Sequence, residues 1–266
     1  MFTSPGEIAF SIFHFPVHWY GIFMAVAITA GLFTILAIKK KYYPDIEQDV
    51  VLDIAFYNII FGILGARLYY VILDYRYYFK YPQEILALWH GGLSIHGAII
   101  ACIIVSFLFL KLKKLQFLPF ADLFIYGLVV GQVIGRWGNF FNSEAFGRPC
   151  NLPWKLFIPM SSRPAEYLNQ AYYHPTFLYE SLLSILIFCL LFFGIRKLKN
   201  YKDGMVFYSY FVLYGLSRFL IEGIRIDSIL DINGIPVARI MSILFVLAGI
   251  CGLLFLSCRK NIKTLS

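Results

Sequence analysis

The chain has 266 residues, 60% of them hydrophobic and only 14% charged, and its mean hydropathy is +0.72. Soluble domains average about 25% charged residues, so a soluble chain of this size has no way to bury so much apolar surface; the composition points to an all-α polytopic membrane protein. The formal charge of +8 does not argue for nucleic acid, because the basic residues stand in short runs beside apolar segments, where anionic headgroups and topology place them.

A helix needs roughly 20 apolar residues to span the bilayer core. About seven segments qualify, at 17–38, 50–73, 92–110, 120–137, 176–195, 205–222 and 237–257. The residues before the first carry no Lys or Arg up to position 17, so no basic leader region is read there. The fourth segment is the least apolar, because it contains Asp122, Gln132 and several glycines. No internal repeat or low-complexity linker interrupts the chain, and residues 1–266 read as a single integral-membrane domain. The five cysteines show no CxxC and no metal spacing, so no metal site and no cofactor is expected from them.

Topology follows from the basic runs. Lys39, Lys40 and Lys41 follow the first segment; Lys111, Lys113 and Lys114 the third; Arg196, Lys197, Lys199 and Lys202 the fifth; Arg259, Lys260 and Lys263 the seventh. These ends share one side, which the positive-inside rule makes cytoplasmic, with the N-terminus outside and the C-terminus inside. The remaining cations are mostly arginines within segments or on the outer side, against the charge rule: Arg67, Arg76, Arg136, Arg148, Arg163, Arg218, Arg225 and Arg239. An arginine at a membrane face suits a phosphate or carboxylate, since its planar fork donates two parallel hydrogen bonds.

In this topology polar groups converge on the outer leaflet. His18, Trp19 and Tyr20 open the first segment; Trp89, His90 and His96 lie at the start of the third; His174, Tyr179 and Glu180 open the fifth. Arg136, Asn139, Asn142 and Glu144 close the fourth, and Tyr214, Arg218, Glu222 and then Arg225 close the sixth. Aromatic anchoring accounts for Trp19, Tyr20 and Trp89, and an interfacial location for His18, His90 and His174. Arg218 and Glu222, at i,i+4, also fit a simple ion pair, Asp122 and Gln132 fit polar contacts between helices, and Arg67 fits a partner to a buried acid. His96, inside an apolar run, fits either a structural hydrogen bond or chemistry. Arg136 resists a structural explanation. Gly135 and Gly138 flank it, Asn139 and Asn142 share its helical face, and Glu144 and Gly147 fall where the helix breaks.

The motifs of several reaction classes are missing. The chain has no GxSxG elbow, no HExxH and no GxxxxGK[ST] loop. What it does have is the string Gly135-Arg136-Trp137-Gly138-Asn139-Phe140-Phe141-Asn142-Ser143-Glu144-Ala145-Phe146-Gly147. That string resembles the GRxGNFxNxExxG signature of the bacterial prolipoprotein diacylglyceryl transferases. Gly91-Gly92-Leu93-Ser94-Ile95-His96-Gly97, His174-Pro175-Thr176-Phe177-Leu178-Tyr179-Glu180, and Tyr214-Gly215 followed by Arg218, Glu222 and Arg225 resemble further segments of that family, in the same order. No motif is matched between Arg148 and Tyr173.

The resemblance implies a reaction: transfer of the diacylglyceryl group of phosphatidylglycerol to the lipobox cysteine thiol of a prolipoprotein signal peptide, with release of glycerol 1-phosphate and no cofactor. It implies His96 as the base for the thiol, Arg136 as the first phosphate ligand and Arg218 as a second clamp. Tyr20, Asn139, Asn142 and Tyr214 are expected to orient the lipid, Glu144 and Glu222 to fix the two arginines, and Gly147 to permit a backbone turn. It also implies the inner membrane, with the site facing outward. The rival reading, a transporter for an anionic lipid or metabolite, predicts paired repeats and polar groups on a path to both faces; the sequence displays neither.

Overall fold

The structure, a computed structural model, describes residues 1–88, 91–226, 231–232 and 235–258. Trp89 and His90, and the last basic run at Arg259, Lys260 and Lys263, lie outside the described residues. Among the described residues eight α-helices carry the fold: α1 Trp19–Tyr42, α2 Gln48–Leu73, α3 Tyr75–Lys80, α4 Ile95–Leu112, α5 Phe117–Phe141, α6 Thr176–Cys189, α7 Met205–Glu222 and α8 Val237–Cys258. A π-turn at Leu190–Gly194 and a short 3-10 turn extend α6 to Lys197. Six of these helices are long and apolar enough to cross a membrane, namely α1, α2, α4, α5, α6 with its extension, and α8. The predicted segment at 205–222 is helical with matching ends, but Tyr208, Tyr210, Tyr214, Arg218 and Glu222 make it more polar than those six.

The chain is mostly helical, as expected, and short strands accompany the helices. Strands β1 Phe2–Thr3, β4 Leu156–Phe157 and β5 Tyr172–Tyr173 form a three-stranded sheet in the order β1-β4-β5. Strands β2 Ile8–Ile12 and β3 Phe15–His18 form a hairpin that leads directly into α1, and β6 Asp231–Ile232 pairs with β7 Ile235–Pro236. Most of these strands are only two residues long, too short to leave a period-2 pattern in the sequence. The motif-free segment between α5 and α6 is therefore a packed head with its own apolar core. Phe140, Phe146, Leu156, Ile158, Tyr173 and Phe177 form that core, with Phe2 and Trp137 packed against it.

The chain divides into two compact units, Met1–Ile35 with Ala121–Ser266, and Leu36–Phe120. In the first, α1 lies along a glycine face of α5. A Cβ added at Gly127 would come 2.9 Å from Gly31 O, and one at Gly138 would come 2.9 Å from Cδ2 of Tyr20; Gly131 and Gly135 face Ala27 and Met24 between them. Small residues let two backbones approach where lipid supplies no hydrophobic drive, and their contact is dispersion and shape. Helices α7 and α8 use the same device: a Cβ at Gly215 would sit 2.7 Å from Ser242 O, and one at Gly249 2.6 Å from Tyr208 O. Asp122 of α5 holds the start of α7. Its carboxylate accepts the backbone N–H groups of Gly204 at 2.6 Å and Phe207 at 2.7 Å and the hydroxyl of Tyr201 at 2.5 Å. The side chain predicted to join helices is thus an N-cap supplied from a neighbouring helix.

In the second unit α2 packs on α4, where a Cβ at Gly65 would meet Gly97 O at 2.7 Å. Asn58 and Ser106 exchange hydrogen bonds of 2.9 and 3.1 Å across that contact. Arg67 does not serve a buried acid. Its guanidinium donates to the carbonyls of Glu84, Ile85, Ala87, Gly91 and Gly92 at 2.5 to 3.3 Å and lies over the ring of Tyr78. It thereby holds carbonyls of the turn at Pro82–Leu86 and of Gly91 and Gly92.

Candidate active site

The site in the first unit is built by three helix ends. Helix α5 presents Gln132, Arg136 and Asn139 at i, i+4 and i+7, so they share one face. Helix α6 starts after Pro175, and its fifth residue is Glu180. Helix α7 brings Tyr214, Arg218 and Glu222 at four-residue spacing, and Arg225 follows its end.

These residues meet in one charge cluster. Glu180 is its centre: Oε2 lies 3.1 Å from Arg136 Nη1, and Oε1 lies 3.0 Å from Arg218 Nη1 and 3.6 Å from Arg225 Nη1. The second guanidinium nitrogen of Arg218 lies 2.7 Å from Glu222 Oε2. The carboxylates form the buried side, with side chains 8% and 0% exposed for Glu180 and Glu222; the arginines form the open side, at 24% for Arg136 and 19% for Arg218. The anions thus lie behind the cations, whose guanidinium groups form the more open side. A small cleft opens there, lined by Gln132, Arg136, Glu180, Tyr214, Ser217 and Arg218. Gln132 donates to Tyr210 at 2.7 Å, while its buried Oε1 accepts no hydrogen bond among the described residues and so offers an acceptor to the cleft. Tyr214 stacks on Tyr210 with ring centroids 5.4 Å apart.

A second polar group lies just beyond α5. Asn139 and Asn142 donate to Glu144 Oε1 at 2.8 and 3.4 Å. Glu144 was expected to hold an arginine; instead it gathers the two amides, and Glu180 takes Arg136. The chain turns here with Ser143 and Ala145 at positive φ, of 53° and 55°. The turn is held by Thr176, whose hydroxyl donates to the Ala145 carbonyl. Gly147 is therefore not the turn residue. Its N–H donates to His174 O at 2.9 Å, it pairs with Arg225 as an isolated antiparallel bridge, and the next N–H, of Arg148, donates to Ile224 O at 2.9 Å. A Cβ at Gly147 would meet Ile224 Cγ2 at 2.8 Å and His174 Cβ at 2.9 Å. Residue 147 thus threads between the start of α6 and the end of α7, where only a hydrogen fits.

Tyr20 lies with its ring against Gly138 and within electrostatic reach of Arg136 and Glu144. His174 Nδ1 is 3.2 Å from the Tyr179 hydroxyl, which also accepts from Trp154 Nε1 at 2.9 Å. His96 belongs to the second unit, in the first turn of α4. It is exposed, its ring 6.2 Å from that of Tyr69. The other unassigned arginines sort differently from Arg136 and Arg218. Arg67 and Arg163 spend their donors on backbone carbonyls. Glu180 received no role from the sequence; its signal was an ionisable group one turn into an apolar segment.

Comparison with known proteins follows the geometry. A family model described as "Prolipoprotein diacylglyceryl transferase" matches residues 7–255. The phosphatidylglycerol--prolipoprotein diacylglyceryl transferase of Nostoc sp. is 41% identical over 265 residues, covering 98% of this chain and 93% of the relative. The protein of that name from Acaryochloris marina is 42% identical over 261 residues, covering 98% and 94%. The one from Synechocystis sp. is 41% identical over 261 residues, covering 96% and 90%.

Proposed function

The chain belongs to the prolipoprotein diacylglyceryl transferase family, and on that premise we propose that it moves the diacylglyceryl group of phosphatidylglycerol onto the lipobox cysteine thiol of prolipoproteins, releasing glycerol 1-phosphate. The observation that carries this reading is the convergence of Arg136 from α5 and Arg218 from α7 on a single cleft, with their counter-ions buried behind them. Such a clamp suits a phosphate whose charge grows during the reaction.

The chemistry is a displacement at carbon. The cysteine sulfur attacks the diacylglyceryl carbon that bears the phosphate, a C–S bond forms, and the C–O bond breaks. The phosphate oxygen keeps the electron pair and leaves as glycerol 1-phosphate. A thiol has a pKa near 8.5, so removal of its proton as it attacks lowers the barrier, and His96 is the base in this reading. Arg136 and Arg218 hold the lipid phosphate and stabilise its developing charge. Tyr20, Asn139, Asn142 and Tyr214 orient the glycerol and phosphate, Glu144 fixes the two amides, Glu222 fixes Arg218, and Gly147 ties the three elements of the site together. Exclusion of water protects the lipid from hydrolysis.

In this reading the whole chain is one integral-membrane domain of the inner membrane with seven spans, α7 joining the six apolar helices as the sixth in chain order. The N-terminus is outside, the C-terminus cytoplasmic and the site outward-facing. The basic runs after α1, α4 and the α6 extension support that orientation. A helix as polar as α7 is tolerated within a membrane when its ionisable groups face protein and pair with one another, as Arg218 and Glu222 do.

The test uses purified protein in detergent with phosphatidylglycerol and a lipobox peptide. Wild type should release glycerol phosphate only when the peptide is present, and Arg136→Ala should abolish release. Folded wild type that binds the lipid without releasing glycerol phosphate would overturn the transferase reading.

A further inference from the structure

Both arginines of the clamp reach the cleft from different helices, and both touch one carboxylate. Glu180 offers one oxygen to Arg136 and the other to Arg218. Its backbone is well anchored: one turn before it, Thr176 bonds the Ala145 carbonyl, and the adjacent Ser181 donates to Val133 O at 2.9 Å. The side chain is 8% exposed, so water screens its charge poorly. Its Oε2 meets Arg136 as an ion pair without an aligned hydrogen bond.

We propose that Glu180 is a positioning residue that sets both the spacing and the charge of the arginine clamp, so that it weakens the clamp's hold on a doubly charged phosphate monoester more than on a singly charged phosphodiester. The inference rests on the transferase reading. Spacing follows from geometry, since one rigid carboxylate fixes the separation of two guanidinium groups on two helices. Discrimination follows from Coulomb's law. Repulsion between a fixed carboxylate and a bound phosphate scales with the phosphate charge. Phosphatidylglycerol carries one negative charge, whereas a phosphate monoester carries roughly −1.5 to −2 near neutral pH. When the C–O bond breaks, the phosphate gains charge within the arginine clamp, and Glu180 opposes its retention. Without that carboxylate the arginines would grip the product.

The experiment measures product inhibition in the peptide-dependent assay, with glycerol 1-phosphate as the dianion and its phosphate methyl ester as the monoanion. In Glu180→Gln, the methyl ester should inhibit about threefold more strongly than in wild type and glycerol 1-phosphate about five- to ninefold more strongly, as the charge ratio requires. The kcat should fall at least tenfold with no rise in the KM for lipid. Glu180→Asp keeps the charge but shortens the reach, so its inhibition constants should stay near wild type while kcat falls. A folded Glu180→Gln whose two inhibition constants match wild type, or move by the same factor, would overturn the proposal and leave Glu180 a structural brace. If Glu180→Gln does not fold, Glu180→Asp decides: a lowered kcat with inhibition constants near wild type supports the proposal, and a wild-type kcat overturns it. Wild type with no peptide-dependent release of glycerol phosphate would instead sink the transferase reading, and this inference with it.

Discussion

Gly147 faces Arg225 across an isolated antiparallel bridge, and that pairing fixes where an arginine of the cluster sits. The neighbouring contacts with His174 and Ile224 leave no room for a side chain at position 147. Gly147→Ala should therefore push the strand away from residues 224 and 225 and disturb Arg225. Overpacking of this kind costs about 1–3 kcal/mol. A lowered thermal midpoint in detergent, with transfer reduced at least tenfold, is the expected result.

Arg218 sets both guanidinium nitrogens against carboxylates, and Arg136 meets Glu180 through one of its own. Lysine supplies the charge without the fork. Arg136→Lys and Arg218→Lys should each lose about 10²–10³ in kcat, the range seen when one transition-state donor is removed. Steady-state glycerol phosphate release checks this. Near-wild-type rates in both lysine variants would show that point charge alone suffices.

His96 is exposed on the first turn of α4 and touches the ring of Tyr69. Little of the fold depends on it, so His96→Gln should leave the thermal midpoint within a degree or two of wild type, as surface changes do. Transfer should fall about 10²–10⁴-fold, the usual contribution of a general base. Retained transfer at saturating substrate would assign deprotonation elsewhere, for instance to the leaving phosphate.

Asp122 caps α7 from α5, and α7 carries Arg218 and Glu222 at its other end. Asp122→Ala leaves the N–H groups of Gly204 and Phe207 and the Tyr201 hydroxyl without this acceptor. Loss of a cap costs about 0.5–2 kcal/mol, and burial of the released donors adds about 1–3 kcal/mol. A clear drop in thermal midpoint is expected, with a smaller loss of activity than in Arg136→Lys. Denaturation followed alongside the transfer assay separates the two effects.

Much of the helical frame was legible in advance. The six apolar helices fall within a few residues of the predicted segments, because a run of apolar side chains long enough to cross a bilayer leaves its backbone no partner but itself. The signature around Arg136 was legible for the converse reason: an arginine and two amides at the end of an apolar run are too expensive to keep without a role. The head between α5 and α6 was not legible, since two-residue strands carry no periodicity and its core draws on Phe140 and Phe177 from the flanking helices. The π-turn after α6 left no local signal either.

The sequence alone determined the mostly helical class of the protein and the places of its apolar helices, because these follow from local composition and spacing. Tertiary structure decided the partnerships. Glu180 rather than Glu144 holds Arg136, Asp122 caps a helix more than eighty residues away, Arg67 serves carbonyls rather than an acid, and Gly147 is required by packing rather than by a turn. Each of these joins residues far apart in the chain. A charged or close-packed pair is defined by a distance of a few ångströms in space, and no local pattern of residues encodes which of several acids, carbonyls or cations the fold will bring within it.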